Sequence, residues 1–228
     1  MANILELNNI NKIYGEKIKT QVLFDVNLQF EESSFNSIIG ASGSGKSTLM
    51  NIMGTLDKAT SGEVLINGTS TINLDKNQLA QLRNETIGFI FQFHYLLPEF
   101  SVFENVMMPF LIRNGKETKE AVKRANDLIE IVGLSKVRNN MATDISGGQQ
   151  QRAAIARALI NNPRIILGDE PTGNLDSEST EVVYNLLKEI NTEYKSTFIV
   201  ITHDKRIAEK ADRILEIKDG IINIDIRK

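Results

Sequence analysis

Two hydrophobic periods divide the 228-residue chain into strand-like and helix-like stretches. In the first forty residues, short apolar runs alternate with turn residues, as in Gln21–Leu28, and this pattern predicts antiparallel strands. The Asn67-Gly68 pair after Val64–Ile66 predicts a hairpin, because both residues accept the positive φ angles of a type I′ turn. A second hairpin is predicted near the C-terminal end, over residues 213–224.

A helical period replaces this alternation over Glu117–Val132, where apolar residues recur every three or four positions. A second helix is predicted over about Gly148–Ile160. We assign both to a helical subdomain of about residues 93–162, inserted into an α/β core of about residues 1–92 and 163–228. The expected fold class is α/β, as one domain with a mainly parallel sheet, an N-terminal antiparallel β subdomain and the helical insertion.

Two nearly continuous apolar runs, Ile165–Gly168 and Phe198–Thr202, are typical of strands that are buried on both faces of a parallel sheet. Asp169, Glu170 and His203 follow these runs directly. In an open α/β sheet, ligands bind at the carboxyl ends of the strands. The three side chains are therefore candidates for one functional site.

Composition narrows the classes of function. The net charge of −3 provides no basic stripe for nucleic acid, so DNA or RNA is disfavoured as a substrate. The absence of cysteine excludes disulfides and thiolate metal sites, which fits a reducing compartment. No run of 18 apolar residues is present, and we expect membrane contact only through a partner protein.

The most informative motif lies directly after a strand-like run, Phe35–Ile39, and fits the pattern G-x-x-x-x-G-K-[ST]. Its backbone N–H groups and the start of the following helix form a cradle for nucleotide phosphates. Lys46 is placed to reach the β- and γ-phosphates, and the Ser47 hydroxyl is placed to bind Mg²⁺. The predicted phosphate loop consists of Gly40, Ala41, Ser42, Gly43, Ser44, Gly45, Lys46, Ser47 and Thr48.

A second block contains Ser146, Gly147, Gly148 and Gln149, and it precedes the Asp169-Glu170 pair. With the phosphate loop, it resembles the ATP-binding cassette family, whose ATPase subunits power membrane transporters. The resemblance covers essentially the whole chain and implies a P-loop NTPase core with ATP and Mg²⁺ as cofactors. Further residues that match the family in its order are Gln92, Asp176 and His203.

The resemblance and the strand ends suggest roles in ATP hydrolysis. Asp169 is expected to hold Mg²⁺ together with Ser47, and Glu170 to orient and activate the attacking water. The alternative is that the two acids are solvated loop residues. Gln92 follows a predicted strand that would carry its amide toward the metal, and His203 would contact the γ-phosphate or hold Glu170 in line.

Ser146, Gly147 and Gly148 open a helix and therefore form a second anion site in the chain. The resemblance implies that this signature loop, with Gln149, covers the nucleotide of a second subunit in a head-to-tail homodimer. Asp176 would cross that interface. Tyr14 matches the aromatic residue that stacks on adenine in the family, although edge packing is the alternative.

Residues 92–100 and 104–109 look like the ATPase of the lipoprotein-releasing system, whereas residues 49–54 and 56–62 look equally like the macrolide and peptide exporter branch of the same subfamily. Six of the ten phenylalanines lie in the stretch from Phe89 to Phe110. We expect a loop-rich, apolar groove over Phe93–Phe110 that docks a membrane permease subunit at the cytoplasmic face of the cell membrane. The alternative is that these rings form the core of the helical subdomain.

Two other classes of ATPase share part of these motifs. A DNA-repair or chromosome-maintenance ATPase shares the signature loop, but it needs a long heptad-patterned insertion, and none is visible. A small-molecule kinase shares only the phosphate loop, and Ser146–Gln149 would then have no role.

Overall fold

Two β-sheets organise the computed structural model, which describes residues 2–228. The first sheet is antiparallel, with strand order β2-β1-β4-β5. Asn67 and Gly68 have φ angles of 50° and 72°, which confirms the predicted turn. The strands of this sheet are β1 (Asn3–Tyr14), β2 (Thr20–Glu31), β4 (Ser61–Ile66) and β5 (Thr69–Ser70).

The second sheet has the order β10-β9-β3-β8-β7-β6 and is parallel except for the β9–β10 hairpin at one edge. The predicted C-terminal hairpin is thereby confirmed. The strands of this sheet are β3 (Phe35–Ile39), β6 (Ile87–Phe91), β7 (Ile165–Asp169), β8 (Thr197–Ile201), β9 (Arg213–Lys218) and β10 (Ile221–Arg227).

Both faces of the central strands are buried, which explains their continuous apolar runs. In β7, Ile165 and Leu167 pack toward the first sheet and the helix over Lys46–Met53, whereas Ile166 packs into the cluster formed with the long helices. The predictions over 117–132 and 148–160 are confirmed as α4 and α5. The helices are α1 (Lys46–Met53), α2 (Lys76–Thr86), α3 (Val102–Asn114), α4 (Lys119–Ile131), α5 (Gly147–Leu159), α6 (Ser177–Tyr194) and α7 (Lys205–Ala208).

The stretch Phe93–Phe110 differs from the expected loop-rich groove, because its second half belongs to α3. Val106 and Met107 are fully buried, and Phe103 and Phe110 pack against the same core. Only the first half is open: Phe93, Tyr95 and Leu97 are 63%, 65% and 40% exposed. The expectation of a groove along the whole stretch was therefore wrong for α3.

None of the helices formed by residues 2–228 combines the length and the apolar character that crossing a bilayer requires.

Candidate active site

The phosphate loop leads from the end of β3 into α1. Gly45 precedes the first helical residue with φ 104°, a conformation that side chains rarely adopt, and no side chain caps the helix. A Cβ at Gly45 would also come within 3.1 Å of the Val22 carbonyl oxygen. The N–H groups of the first turn of α1 are thus available to an anion.

A cavity of about 490 Å³ lies at this helix start and at the carboxyl ends of β6, β7 and β8. It brings together residues of the predicted motifs from Gly40 to His203, as the order of the motifs predicted. The lining residues are Val22, Gly40, Ser42, Gly43, Gly45, Lys46, Ser47, Thr48, Gln92, Asp169, Glu170, Ile201 and His203.

Lys46 Nζ donates hydrogen bonds to the carbonyl oxygens of Gly40 and Ala41, at 2.9 and 2.7 Å. The ammonium group is therefore held over the loop by its own backbone. No carboxylate among residues 2–228 forms a salt bridge with it within 4 Å, so its charge is open to an anionic ligand.

Burial raises the pKa of Asp169, and the neighbouring charge of Glu170 raises it further. A hydrogen bond from the Ser47 hydroxyl and the charge of Lys46 act in the opposite direction. Asp169 and Ser47 both line the cavity. A carboxylate beside a hydroxyl, next to a phosphate cradle, fits Mg²⁺, which binds one or two protein oxygens together with substrate phosphates.

Glu170 and His203 are paired across the ends of β7 and β8. His203 Nδ1 lies 2.8 Å from Glu170 Oε2, and the Glu170 N–H donates to the Ile201 carbonyl oxygen at 3.0 Å. The carboxylate is 16% exposed, whereas the imidazole is 71% exposed. Glu170 has a φ of 46°, a strained conformation that clusters at functional sites. The pair places an oriented carboxylate at the cavity wall.

Gln92 reaches the cavity at the end of β6, as predicted. Its Nε2 donates to Asn174 Oδ1 at 3.1 Å, and Asn174 Nδ2 donates back to the Gln92 carbonyl oxygen at 3.2 Å. The side chain lies over Gly173, where a Cβ would meet Gln92 Nε2 at 2.9 Å. Gln92 is therefore tied to the loop that follows Glu170.

The signature loop lies apart from this cavity, and none of its residues is among the lining residues. Ser146 caps α5: its N–H donates to Gln149 Oε1 at 2.9 Å, and its Oγ accepts from the Gln149 N–H. Nothing lies within 4 Å of a Cβ at Gly147. Asp176 caps α6 by accepting from the Ser179 N–H and hydroxyl, and Ser179 is also the nearest side chain to Gly148.

Tyr14 ends β1 and is not among the residues that line the cavity. Its hydroxyl donates to Asp57 Oδ2 at 2.7 Å, and Lys12 Nζ lies 4.6 Å from the ring centre. The ring is 41% exposed. Stacking of Tyr14 on a base stays a prediction.

Sequence reasoning missed three residues of this region: Val22, Asp57 and Asn174. Val22 lines the cavity from β2, Asp57 anchors Tyr14, and Asn174 holds Gln92. Asn174 had a usable signal, because an amide in the loop after a strand-end acid is placed near the same sheet edge. Val22 and Asp57 lack a local signal, since tertiary packing alone brings them to the site.

The fold and the cavity define a P-loop ATPase that also carries a signature loop. The chain belongs to the ABC transporter family, whose model matches residues 23–173, and it is an ATP-binding, ATP-hydrolysing subunit of that family. This confirms the family resemblance, and a DNA-repair or chromosome-maintenance role is not favoured.

Similar proteins extend over nearly the whole chain. The lipoprotein-releasing system ATP-binding protein LolD 1 of Rhodopseudomonas palustris is 48% identical over 97% of this chain and 99% of its own. The LolD protein of Shewanella denitrificans is 47% identical, covering 97% and 95%. A dimeric post-hydrolysis structure of the ATP-binding cassette MJ0796, bound to ADP and Pi, superimposes with a TM-score of 0.89 at 42% identity, covering 98% of each chain.

Proposed function

We propose that this chain hydrolyses ATP in the cavity at the start of α1 and thereby powers lipoprotein release through a membrane partner. One observation carries the proposal: a single cavity gathers the phosphate loop, Gln92, Asp169, Glu170 and His203. The similarity to LolD proteins over nearly all of the chain supports the cargo.

In the proposed site, Lys46 and the first N–H groups of α1 bind the β- and γ-phosphates. Glu170 accepts a proton from the attacking water, and the strained backbone and the contact with His203 fix its orientation. His203 is exposed enough to meet the γ-phosphate while it keeps this contact. The Gln92 side chain lines the same cavity from the end of β6.

Mg²⁺ is proposed to bind at Ser47 and Asp169, with the Gln92 amide nearby. When bound, the ion neutralises the charge that develops on the phosphate oxygens. The raised pKa of Asp169 is consistent with a carboxylate that gains a cation in the working state, because a cation favours the ionised form.

The proposed assembly is a head-to-tail homodimer in which Ser146–Gln149 of one subunit covers the nucleotide of the other. The exposed position of this loop, away from its own cavity, supports this arrangement. Asp176 lies beside the signature helix through Ser179, where it would meet the same interface. Tyr14 is proposed to stack on the adenine.

The permease subunit is proposed to dock on Phe93, Tyr95 and Leu97, placing the chain at the cytoplasmic face of the membrane. Beside this open segment, Phe89, Phe91, Tyr95 and Pro109 contribute to a cavity of about 420 Å³ between α2, β6, α3 and α5. An amphipathic helix of the membrane subunit fits such a groove. Because the segment follows Gln92 directly, nucleotide-dependent movement would reach the partner.

Two phenylalanines test the docking surface as a matched pair. Phe93→Asp should leave the melting temperature of the isolated subunit unchanged and abolish assembly with the permease, because Phe93 is exposed. Phe103→Asp should instead lower the melting temperature, because the ring packs against the core with Arg138 4.7 Å from its centre. Normal assembly of the Phe93 variant would contradict the docking surface.

The cargo is tested by reconstitution. The chain and its permease are placed in liposomes with an acylated lipoprotein, and ATP-dependent release of the lipoprotein into solution is measured. Release with wild type, and none with Glu170→Gln, is expected. Transport of a macrolide or a peptide in place of lipoprotein release would assign the chain to the exporter branch.

A further inference from the structure

Arg157 joins the signature helix to the segment that follows Gln92. Its guanidinium, on the last turn of α5, donates from one nitrogen to the Tyr95 carbonyl oxygen at 2.5 Å and from another to the His94 carbonyl oxygen at 2.7 Å. The two acceptors are consecutive, so they match the planar fork of an arginine. One side chain of α5 thus holds two adjacent backbone groups close to the nucleotide cavity.

The charge of Arg157 has no acidic partner. Burial lowers the pKa of this guanidinium, and no carboxylate of residues 2–228 lies within salt-bridge distance of it. Desolvating an unpaired charge is costly, and an apolar residue of similar volume can fill such a site at lower cost. A role in packing alone therefore does not account for an arginine at this position.

The backbone is strained at Tyr95, one of the two residues whose carbonyls accept hydrogen bonds from Arg157. Tyr95 has a φ of 47°, which is uncommon for a large side chain and persists only when its surroundings enforce it. The ring of Tyr95 meets Phe91 of β6 edge-on at 5.4 Å, on the other side of Gln92 along the chain. Strain of this kind, held by contacts on both sides, is typical of a segment with two arrangements.

Hydrogen bonds and the backbone connect the loop after β7, Gln92 and the signature loop. Gln92 is bonded to Asn174, which lies between Glu170 and Asp176 in the loop after β7. His94 and Tyr95 are bonded to Arg157, and α5 begins at the signature loop. Because a helix transmits displacement along its axis, a movement of Ser146 would reach Gln92 through Arg157.

We propose that Arg157 is a positioning residue that couples the signature loop to Gln92, so that engagement of Ser146 with a second subunit's nucleotide sets Gln92 in its own cavity. This role rests on the proposed function, because it requires both a nucleotide at the cavity and a second subunit at the signature loop. In this role, the Arg157 guanidinium transmits a change at one nucleotide site of a dimer to the other.

Arg124 offers a matched control. It is also half-buried, and it also donates to two backbone carbonyls of the α5 region, those of Leu159 and Ile160, at 2.8 and 2.9 Å. It forms no hydrogen bond with the segment that follows Gln92; its remaining acceptor is Asn162 Oδ1, at 3.3 Å. Loss of Arg124 therefore removes the same kind of hydrogen bonds from the same helix without touching the proposed coupling.

The chain contains no tryptophan, so Phe93→Trp introduces a single fluorophore one residue after Gln92, at an exposed position. In this reporter background, Arg157→Met and Arg124→Met are compared by tryptophan emission with and without ATP, by steady-state hydrolysis and by melting temperature. For Arg157→Met we expect no ATP-dependent change in emission and a kcat roughly ten- to a hundred-fold lower, as for remote misplacement of a reacting group. KM for ATP should stay within about two-fold.

Arg124→Met should lower the melting temperature while keeping the emission change and kcat. Arg157→Lys should have a melting temperature close to that of wild type, but its kcat should stay as low as that of Arg157→Met. The reason is that one ammonium cannot span both carbonyls in the same geometry. Equal effects of both Met variants on emission and kcat, or full recovery of kcat by lysine, would overturn the positioning role alone. A wild-type protein that neither binds nor hydrolyses ATP would overturn the proposed function, and the positioning role with it.

Discussion

The N-termini of α1 and α5 offer the same chemistry to an anion, but they stand in different surroundings. No side chain caps α1, and four polar side chains from three strand ends surround it in one cavity: Gln92, Asp169, Glu170 and His203. In α5, Ser146 and Gln149 cap the helix reciprocally, and no residue of the signature loop lines that cavity. One helix start is thus enclosed by its own chain, and the other is exposed.

These different surroundings determine what each helix start can do without a second subunit. The cavity at α1 contains a cation, a metal-type donor pair and an oriented carboxylate, so it can bind nucleotide within one chain. The start of α5 has donors but no other part of a site, and its capping box satisfies two of those donors without a ligand. We therefore expect a surface from outside the chain to complete this site.

Glu170→Gln gives the largest expected effect and acts only on the enclosed site. Loss of the base should lower kcat by about 10² to 10⁴ while ATP binding is retained, and ATP with Mg²⁺ should then trap a dimer. Single-turnover hydrolysis and mass in solution measure both effects. Glu189→Gln, on the exposed side of α6, is the control. A variant that stays monomeric and still hydrolyses ATP would remove Glu170 from this role.

Lys46→Ala should weaken ATP binding roughly a hundred-fold, because two charge-assisted hydrogen bonds to phosphate are worth about 3 kcal/mol. The fold should be unchanged, since Lys46 contacts only the carbonyls of its own loop. Equilibrium binding of a fluorescent ATP analogue measures the effect, and the exposed Lys17→Ala is the control. Tight binding by the variant would mean that the helix start of α1 suffices without the lysine.

A mixture of two inactive variants sharpens the comparison. Lys46→Ala disables the enclosed site, and Ser146→Arg blocks the exposed loop. If the loop acts on the second subunit's nucleotide, a mixed dimer holds one fully intact site, and an equal mixture should recover up to about a quarter of wild-type hydrolysis. If the loop acts within its own chain, each protomer is damaged once and mixing restores nothing. Lys46→Ala mixed with Lys46→Ala,Ser146→Arg is the negative control.

The enclosed site could be predicted from sequence because its parts are local signals. A glycine-rich loop after a strand and acids at the ends of apolar runs each carry their meaning within about ten residues. The contact between Gln92 and Asn174 spans 82 positions, and the grip of Arg157 on His94 and Tyr95 spans more than 60. Nothing in a local pattern indicates such pairs, since the pairing of β6 with β7 creates the first and the packing of α5 against β6 creates the second.

Helix α3 was missed for another physical reason. Its apolar residues occupy most of its circumference, and Pro109 lies inside it, so no amphipathic stripe is visible. The capping box of Ser101 and Glu104 was the available signal for its start. Without that signal, the apolar composition of Phe93–Phe110 predicts a groove along the whole stretch, including its buried half.

The smallest expected effect is on stability, and it has opposite signs for Asp169 at the enclosed site and Asp176 beside the exposed loop. The pKa of Asp169 is raised, chiefly by burial, so the folded chain retains a proton there more readily than the unfolded chain. That contribution to stability is present below the ordinary pKa of aspartate and is lost as pH rises through the raised pKa. The pKa of Asp176 is lowered, chiefly by the hydrogen bond from the Ser179 N–H, so its contribution is present at neutral pH and is lost as pH falls.

At pH 7 without nucleotide, Asp169→Asn should therefore raise the melting temperature by up to a few degrees, because it removes a buried charge beside Glu170. Asp176→Asn should lower it slightly, because asparagine still caps α6 but lacks the charge. Calorimetry at pH 7 and again near the ordinary pKa of aspartate measures both, and both differences should shrink at the lower pH. Changes of the same sign at pH 7 would show that the two acids do not differ in electrostatic environment, and that Asp169 is not held ready for a cation.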